Sequence, residues 1–397
     1  MILGVTATDV YSPDSIEEAS TILRELAEKK QTVTIAGGQT ALELGNAPAS
    51  IDAIVSTMRL DRIVDYAPAD QIVTVEAGIP LKHLQERLLP NRQRLALDPP
   101  LPARATVGGI VATDAYGPRR TRYGTVRDLI VGMTIVRPDG TVARGGGKVV
   151  KNVAGFDVPK LMVGSLGTLA MIATVTLRLH PLPEAERALL FAGCGAPDVR
   201  ALLNDALAAQ LEPTIALAIG EGAGYALCIR FEGFRAGVDA QVASLHDVAQ
   251  RRGLRAEECS PADWAPIDVA HDRTRTLGEL RVKIAAPPSE FAGVHERAIA
   301  PLVAQLDEAT SAAYPAIGVA FVSGTGENPG LAKTLASARD FVESLGGSLV
   351  LAAAPPEIRE RIDAWGTPPA AFGLMKALKQ RFDPERRFNP GRFVGGL

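Results

Sequence analysis

Four glycine-rich stretches within the first 182 residues constrain this chain most. They read IAGGQTALELG, ATVGGIVATDAYG, RYGTVRDLIVG and VGSLGTLAMI, and they begin at residues 35, 105, 122 and 163. Glycine tolerates positive φ and has no Cβ, so successive backbone N–H groups of such a loop can surround a phosphate. One Gly-Gly pair after a strand usually forms only a tight turn. Four such loops in one segment predict that they share one large anionic ligand.

The charge distribution agrees with an anionic ligand. The whole chain has 42 Lys and Arg against 45 Asp and Glu, a net charge of −3, which gives no reason to expect nucleic acid as a partner. Residues 91–160, however, contain 12 Lys and Arg against 5 Asp. The excess of positive charge therefore lies in the segment that contains two of the glycine-rich stretches.

Other classes of site and location are disfavoured. The three cysteines form no CxxC pair, so a disulfide framework or a zinc cage is not expected. GxGxxG after the first strand, GxxxxGK[ST], HExxH and GxSxG are all absent, which argues against a Rossmann enzyme, a P-loop NTPase, a zincin and a serine hydrolase. No apolar run reaches the roughly 18 residues that a transmembrane helix needs, so a soluble protein is predicted. The absent cysteine and HExxH patterns predict that it has no metal site.

Helical and strand patterns alternate irregularly, which predicts an α+β fold. Ser12 and Pro13 are typical of an N-cap and first helical position, and a hairpin is predicted to turn at 138–140. Two prolines after His180 place a domain boundary near residue 182. We expect domains at 1–182 and 183–364, and a tail at 365–397 whose basic, Pro-rich end lies across a surface. No internal repeat is evident.

The order of these motifs resembles a known family. AGGQT after a strand, TVGGIVAT with RDLIVG, KNVAGFDVPKLMVGSLGTLAMI and a strand ending in HPLP are similar to the FAD-binding domain of the vanillyl-alcohol oxidase, or PCMH-type, superfamily. The tail WGTPPAAFGLMKALKQRFDPERRFNPGRF is similar to the ending of the smaller of the two FAD-binding chains in glycolate oxidase complexes. The resemblance implies two α+β subdomains that hold FAD, a ferredoxin-like cap domain, and a tail that returns to the FAD domain.

The resemblance also implies which residues bind FAD. The first loop falls where the family binds the pyrophosphate, the second contacts the flavin, and the later segments line the flavin and adenosine ends. The implied cofactor-binding residues are Gly37, Gly38, Gln39, Thr40, Thr106, Gly108, Gly109, Thr113, Tyr123, Gly124, Gly164, Ser165, Gly167, Ile172 and Asn389. Members that tether FAD covalently carry histidine where this chain has Gln39, so noncovalent binding is implied.

Catalytic residues are less clearly indicated. Arg281 and Lys283 alternate with apolar residues on a predicted strand, so both project from one face and either meet a substrate carboxylate near the flavin or face water. Arg119, Arg120 and Arg122 form a basic loop that either meets an anion or an acidic partner, or is solvated. The HxxGDGNxH cluster of catalytic members is absent; His246, His271 and His295 are widely spaced.

The resemblance implies a flavoprotein that oxidises glycolate or another small 2-hydroxy acid, such as D-lactate. Its expected partners are a larger FAD-binding subunit and an iron–sulfur subunit. Its expected location is the cytoplasm, or the inner face of a membrane to which those partners attach it. Two alternatives stay open. One is a noncatalytic subunit whose flavin is structural or relays electrons, which the missing histidine cluster favours, and the other is a stand-alone flavin dehydrogenase of the D-lactate type.

Overall fold

The computed structural model describes residues 2–147, 157–222, 224–326 and 328–397. Contacts divide the chain into two units. The first comprises Met1–Gly117, Gly124–Leu182 and Thr367–Leu397, and the second comprises Pro118–Tyr123 and Pro183–Gly366. The KNVAGF part of the third family motif, residues 151–156, lies outside the described residues.

The first unit contains two α+β subdomains. One is a parallel sheet of order β1-β3-β2, and the other is a five-stranded antiparallel sheet of order β4-β5-β9-β7-β8. A short pair joins β6 to β10. The strands are β1 Asp9–Tyr11, β2 Val33–Ala36, β3 Ala53–Ser56, β4 Ile63–Ala67, β5 Ile72–Glu76, β6 Gln93–Arg94, β7 Ile130–Val136, β8 Val142–Gly146, β9 Met171–Arg178 and β10 His180–Pro181.

Each of these sheets has its own apolar core. Leu23 and Leu26 of the first helix pack with Val33 and Val55 in one core, and Leu84 of the second helix packs with Val75 in the other. The helices of the first unit are α1 Ile16–Glu28, α2 Leu81–Leu88, α3 Val107–Thr113, α5 Val126–Leu129, α6 Val158–Met162 and α14 Phe372–Phe382, and α4 Arg120–Tyr123 groups with the second unit. The expected α+β fold with two subdomains is confirmed.

Two local expectations differ from the structure. Helix α1 is capped by Ser15, whose hydroxyl accepts the Glu18 N–H at 3.2 Å, so the prediction of a start at Ser12 and Pro13 was wrong. The Ser-x-x-Glu spacing from Ser15 supplies the stronger cap, because Glu18 in turn accepts the Asp14 N–H at 2.7 Å. The tail does not lie across a surface either, since Phe388 is fully buried in the core beneath α1.

The second unit is built on one eight-stranded antiparallel sheet. Its order is β14-β11-β13-β12-β16-β17-β15-β18. The strands are β11 Ala185–Cys194, β12 Ile215–Glu221, β13 Gly224–Gly233, β14 Glu257–Cys259, β15 Leu280–Ala285, β16 Asp307–Tyr314, β17 Val319–Thr325 and β18 Ser348–Ala353. The helices are α7 Ala196–Ala208, α8 Arg235–Arg251, α9 Pro261–Thr276, α10 Phe291–Val294, α11 Ala300–Val303, α12 Leu331–Ser344 and α13 Pro356–Arg359.

This sheet is a topological repeat that the sequence does not reveal. From the join between β12 and β16 outward, each half has the β-α-β-β-α-β connectivity and strand order of a ferredoxin-like fold. Two registered pairs, Ala218 with Ala313 and Ile219 with Ala312, join the halves. A repeat of this kind needs only the same burial pattern in both halves, so no residue-by-residue similarity is required. Within the described residues, no helix is long and apolar enough to cross a membrane.

A half-buried histidine makes the stability of the second unit depend on pH. The Nδ1 atom of His295 lies 2.7 Å from the buried Tyr225 hydroxyl. Burial lowers the pKa of His295 below its usual 6.5, against a smaller opposing effect of Glu296. As the pH falls, the unfolded chain therefore binds a proton at this histidine before the folded chain does. The contribution of neutral His295 to the free energy of unfolding is thus complete above about pH 6.5, and it decreases as the pH falls from 6.5 to the lower pKa of the folded state.

We therefore expect the melting temperature to fall less between pH 7 and about pH 5 in His295→Gln than in the wild type. Scanning calorimetry at the two pH values measures this difference. His83→Gln, which changes an exposed histidine on α2, is the control and should fall as the wild type does. An equal fall in melting temperature in all three proteins would show that His295 does not cause the pH dependence.

Candidate cofactor-binding site

A cleft in the first unit brings together most of the predicted cofactor-binding residues. It holds about 730 Å³ of space free of protein atoms, counted out to its open mouth. Its walls come from the end of β2, from α3, and from residues 166–172. Ten predicted residues line it: Gly37, Gly38, Gln39, Thr40, Thr106, Gly108, Gly109, Thr113, Gly167 and Ile172.

The loop that follows β2 supplies unpaired backbone donors. Among the described residues, no acceptor within the protein is found for the backbone N–H groups of residues 37–42. Five of these residues are half-buried and Gln39 is exposed, and a run of six consecutive N–H groups without a protein acceptor leaves a row of donors open to a ligand. Gln39 has φ of 57°, a left-handed conformation that turns the chain out of the strand direction and lets neighbouring amides converge.

Glycine is required in this loop because backbone packs against backbone. A Cβ on Gly38 would lie 1.7 Å from the Arg104 carbonyl oxygen, and a Cβ on Gly37 would lie 2.3 Å from Thr106 Oγ1. A Cβ on Gly108, in the second loop, would lie 2.6 Å from the Cβ of Ala77, the residue that follows β5. The absent side chains therefore let the walls of the cleft approach each other.

The second loop forms a wall and supplies few donors. Thr106 caps α3 by accepting the Gly109 N–H at 3.3 Å, and the Gly108 N–H donates to Ala77 O at 2.7 Å. The Thr113 hydroxyl donates to Gly109 O at 2.8 Å. Most of the donors expected here are thus used by the protein itself, and the free donors come from residues 37–42.

Five predicted residues do not line the cleft. Ser165 is buried beside it, and within the described residues its hydroxyl has no partner. Gly164 donates its N–H to Val111 O at 2.9 Å, and Gly124 has φ of +73° in a turn against Asp128. Tyr123 belongs to the second unit, where its hydroxyl donates to Glu232 at 3.5 Å. The fifth, Asn389, lies in the tail and donates from Nδ2 to Leu166 O at 2.8 Å.

The tail contributes one cleft residue, Arg392. This residue is buried, and its Nη2 donates to Leu42 O at 2.6 Å and to Leu44 O at 2.7 Å. It is the only charged residue among the described residues that line the cleft, and no carboxylate lines it. The lining therefore has a positive charge and a row of backbone donors, which is the chemistry that a diphosphate requires.

Two tail residues that the sequence did not single out organise this region. Lys379 donates to Asp383 at 2.7 Å, to Thr168 O at 2.7 Å and to Phe388 O at 2.9 Å. Burial lowers the pKa of Lys379, and the Asp383 carboxylate opposes that effect. The only available signal in the sequence was the spacing of a Lys and an Asp four residues apart.

Arg281 and Lys283 lie together on one face of the sheet in the second unit. Leu280, Val282 and Ile284 point to the opposite, buried face, as the alternation predicts. Both cations are half-buried, and Arg281 donates to Thr276 O at 3.0 Å. Neither is a plainly solvated residue.

A third cation, which the sequence did not indicate, lies on the same face. The Arg275 guanidinium of α9 stacks 4.0 Å from the ring centre of Phe321, which pairs directly with Lys283 across β17 and β15. Arg275, Arg281 and Lys283 are therefore three cations on this face of the sheet.

The basic loop before residue 124 is occupied by contacts within the second unit. Arg119 donates to the buried Glu232 carboxylate at 2.9 Å, and Arg122 donates to Glu212 at 2.8 Å. These ion pairs neutralise two of the three arginines that were considered for an anion or an acidic partner. Arg119 is therefore held by a buried carboxylate, whereas Arg122 is exposed and its ion pair with Glu212 lies at the surface.

The first loop generates a testable prediction. Gly38→Ala places a Cβ where the Arg104 carbonyl lies, so the loop must shift and its amides diverge. We expect the affinity for FAD to fall at least about tenfold, which corresponds to ~1.4 kcal/mol. Titration of flavin fluorescence measures the affinity. Gly237→Ala is the control, because a Cβ there meets nothing within 4 Å. Undiminished FAD binding by Gly38→Ala would contradict the assignment.

Comparison with known proteins agrees with this site. A family model described as an FAD binding domain matches residues 8–146. A D-lactate dehydrogenase of Archaeoglobus fulgidus is 36% identical over 173 residues, which cover 43% of this chain and 38% of that protein. The glycolate oxidase subunit GlcE of Escherichia coli is 40% identical over 128 residues, which cover 32% of this chain and 37% of that protein. The matched part is thus well under half the length of each relative.

The fold of the whole chain also has a known counterpart. A solved structure of alkyldihydroxyacetonephosphate synthase superposes with a TM-score of 0.71 over 97% of this chain and 77% of that one. Their sequences are 16% identical, so this likeness concerns the fold alone. The unpaired amide loop lies within the residues that the family model matches, and the positive cleft lies in the same unit, so the first unit of this chain contains an FAD binding domain.

Proposed function

We propose that this chain binds FAD noncovalently in the cleft of the first unit and serves as the FAD-binding subunit of a 2-hydroxy-acid dehydrogenase, with glycolate as the favoured substrate. The observation that carries the FAD assignment is the run of unpaired N–H groups at residues 37–42. These amides would hold the pyrophosphate, with the positive charge of Arg392 behind them.

Noncovalent binding is supported by the lining of the cleft. A covalent tether needs a nucleophilic side chain such as histidine, cysteine or tyrosine. The described residues that line the cleft are aliphatic residues, glycines, threonines, Gln39 and Arg392, none of which is such a nucleophile. Denaturation should therefore release the flavin into solution.

The substrate class is proposed from the relatives and from the charges of the second unit. Two matched relatives are named as a D-lactate dehydrogenase and a glycolate oxidase subunit, and both names refer to small 2-hydroxy acids. FAD held by the loop 37–42 and Arg392 would supply the hydride acceptor, so that a 2-hydroxy acid would become a 2-oxo acid with release of its hydroxyl proton. Arg281 and Lys283, with Arg275 beside them, are our candidates to hold the substrate carboxylate.

The route of the electrons supports a partner. All three cysteines, Cys194, Cys228 and Cys259, are buried, and burial raises the pKa of each thiol, so they are poor candidates for iron–sulfur ligands. Within the described residues, no group of three potential metal-ligating side chains occurs. We therefore propose that electrons leave through partner subunits, a larger FAD-binding subunit and an iron–sulfur subunit, in the cytoplasm or at the inner face of a membrane.

A noncatalytic role is a second candidate because the histidines of the second unit are dispersed, although His271 and Arg275 share the Tyr314 hydroxyl. His271 bonds to Tyr314 and His295 bonds to Tyr225, while His246 lies on α8, so the three histidines do not form a cluster. In this role the flavin relays electrons or is structural, and a partner oxidises the substrate. A stand-alone dehydrogenase of the D-lactate type requires no partner.

Anaerobic visible spectra separate these candidates. We expect glycolate, and more weakly D-lactate, to bleach the flavin band of the purified chain loaded with FAD. An unchanged spectrum in the isolated chain, with bleaching only after the partners are added, would favour the noncatalytic role. Steady turnover with a soluble dye and no partner would favour the stand-alone enzyme.

If bleaching occurs, Arg281→Gln should slow it. Loss of a charge-assisted hydrogen bond to the carboxylate is worth roughly 1.5–3 kcal/mol, so we expect kcat/KM to fall by roughly 10- to 150-fold. Stopped-flow measurement of flavin reduction gives this ratio. Lys333→Met removes an exposed cation from α12 and is the control. An unaffected Arg281→Gln variant would remove that residue from the substrate site.

A further inference from the structure

We propose that Lys379 and Asp383 are positioning residues for FAD. Their buried ion pair holds the segment 387–392, here called the tail clasp, and the tail clasp holds the loop 37–42 in the shape that binds the pyrophosphate. This inference rests on the proposed function, because it assumes that FAD occupies the cleft. Neither Lys379 nor Asp383 lines the cleft itself.

The ion pair organises the chain around it. The side chains of Lys379 and Asp383 are 3% and 1% exposed, and their N–O distance is 2.7 Å. All three protons of the ammonium group are used, since Lys379 also donates to Thr168 O and Phe388 O. The Asp383 carboxylate accepts the N–H groups of Arg387 at 3.1 Å and Phe388 at 2.8 Å. Both charges therefore bind backbone, and the backbone they bind is the start of the tail clasp.

The tail clasp continues directly onto the strand that leads into the loop. The Val33 N–H of β2 donates to Arg387 O at 2.8 Å, and the Asn389 N–H donates to Val33 O at 2.9 Å, so the clasp pairs in parallel beside β2. Phe388, between them, is fully buried in the core under α1. Because β2 ends at Ala36 and the loop begins at the next residue, Gly37, the clasp fixes where the loop starts.

The same segment holds the far end of the loop and the opposite wall. Arg392 donates to the carbonyls of Leu42 and Leu44, and Arg392 O accepts the Asn46 N–H at 3.0 Å. Asn389 donates to Leu166 O, next to Gly167 of the opposite wall. Since the loop amides make no hydrogen bonds to described parts of the protein, its shape depends on contacts made outside the run of amides, and the tail clasp supplies several of them.

A preformed row of donors binds an anion more tightly than a row that must first be ordered. Loosening the tail clasp should therefore weaken FAD binding even though the altered residues do not touch FAD. A purely structural role for the ion pair predicts something different: FAD affinity would fall only as far as it falls in any variant with the same loss of stability.

The test is the double variant Lys379→Met with Asp383→Asn. Both changes preserve side-chain volume, and removing both charges avoids leaving one buried charge unpaired. We expect the dissociation constant for FAD to rise at least about tenfold. We also expect hydrogen exchange at amides 37–42 of the FAD-free protein to become faster. Fluorescence titration and exchange mass spectrometry are the measurements, and neither depends on catalytic activity.

The control is Leu88→Ala, which opens a cavity in the core between α2 and the five-stranded sheet at a residue that does not line the cleft. It should lower the melting temperature of the FAD-free protein while leaving FAD affinity within about twofold of the wild type. An equal loss of FAD affinity in both variants at equal loss of stability would overturn the positioning role. An unchanged dissociation constant in the double variant would overturn it too.

A second variant covers the case in which the double variant does not fold. Arg392→Lys leaves the ion pair and the positive charge in place, but a flexible lysine stem does not hold its nitrogen in position as the planar guanidinium holds Nη2, which donates to the carbonyls of both Leu42 and Leu44. We expect it to bind FAD several-fold more weakly, and unchanged affinity would overturn the inference. Failure of the wild type to bind FAD at all would instead overturn the proposed function, so the two failures are distinguishable.

Discussion

A buried ion pair between Lys379 and Asp383 is the interaction on which the first unit depends. Removing two charges from water is expensive, and the expense is offset only when both groups find full sets of hydrogen bonds. Here those bonds go to backbone groups of the tail and to Thr168 O, which is 211 residues away in sequence. The tail is therefore part of the core, because satisfying the pair requires residues 387 and 388 to be inside.

The tail in turn explains how a cleft built from small residues keeps its shape. The donors of the cleft are mainly backbone N–H groups and one guanidinium. The absence of a side chain at the glycines is therefore as important as the side chains that are present. Gly38 is needed because the Arg104 carbonyl occupies the space of a Cβ, and Thr106 serves α3 as a cap. The second unit differs: its candidate substrate-binding residues are charged side chains on one face of a sheet made of two ferredoxin-like halves.

Much of this organisation was predictable from the sequence. The glycine-rich loops, the hairpin at 138–140, the alternation around Arg281 and the α+β class all depend on neighbouring residues, whose preferences are strong. The start of α1 was misplaced because two serines near Pro13 compete as caps, and only the reciprocal bond with Glu18 selects Ser15. The ion-pair partners of Arg119 and Arg122 could not be predicted from the sequence, because Glu232 and Glu212 are about 100 residues away along the chain. The repeat in the second unit was hidden because topology does not require similar sequences.

The sequence by itself determined that the first 182 residues carry close-approach loops suited to phosphates and that the chain is α+β. These are properties of a few adjacent residues: freedom of φ, absence of Cβ, and period of hydrophobic alternation. Only the tertiary structure decided which amides stay unpaired, that the basic tail is buried, and that Lys379 and Asp383 hold it there. The physical reason is that desolvation and hydrogen-bond pairing depend on groups from distant parts of the chain. These groups come into contact only in the folded molecule.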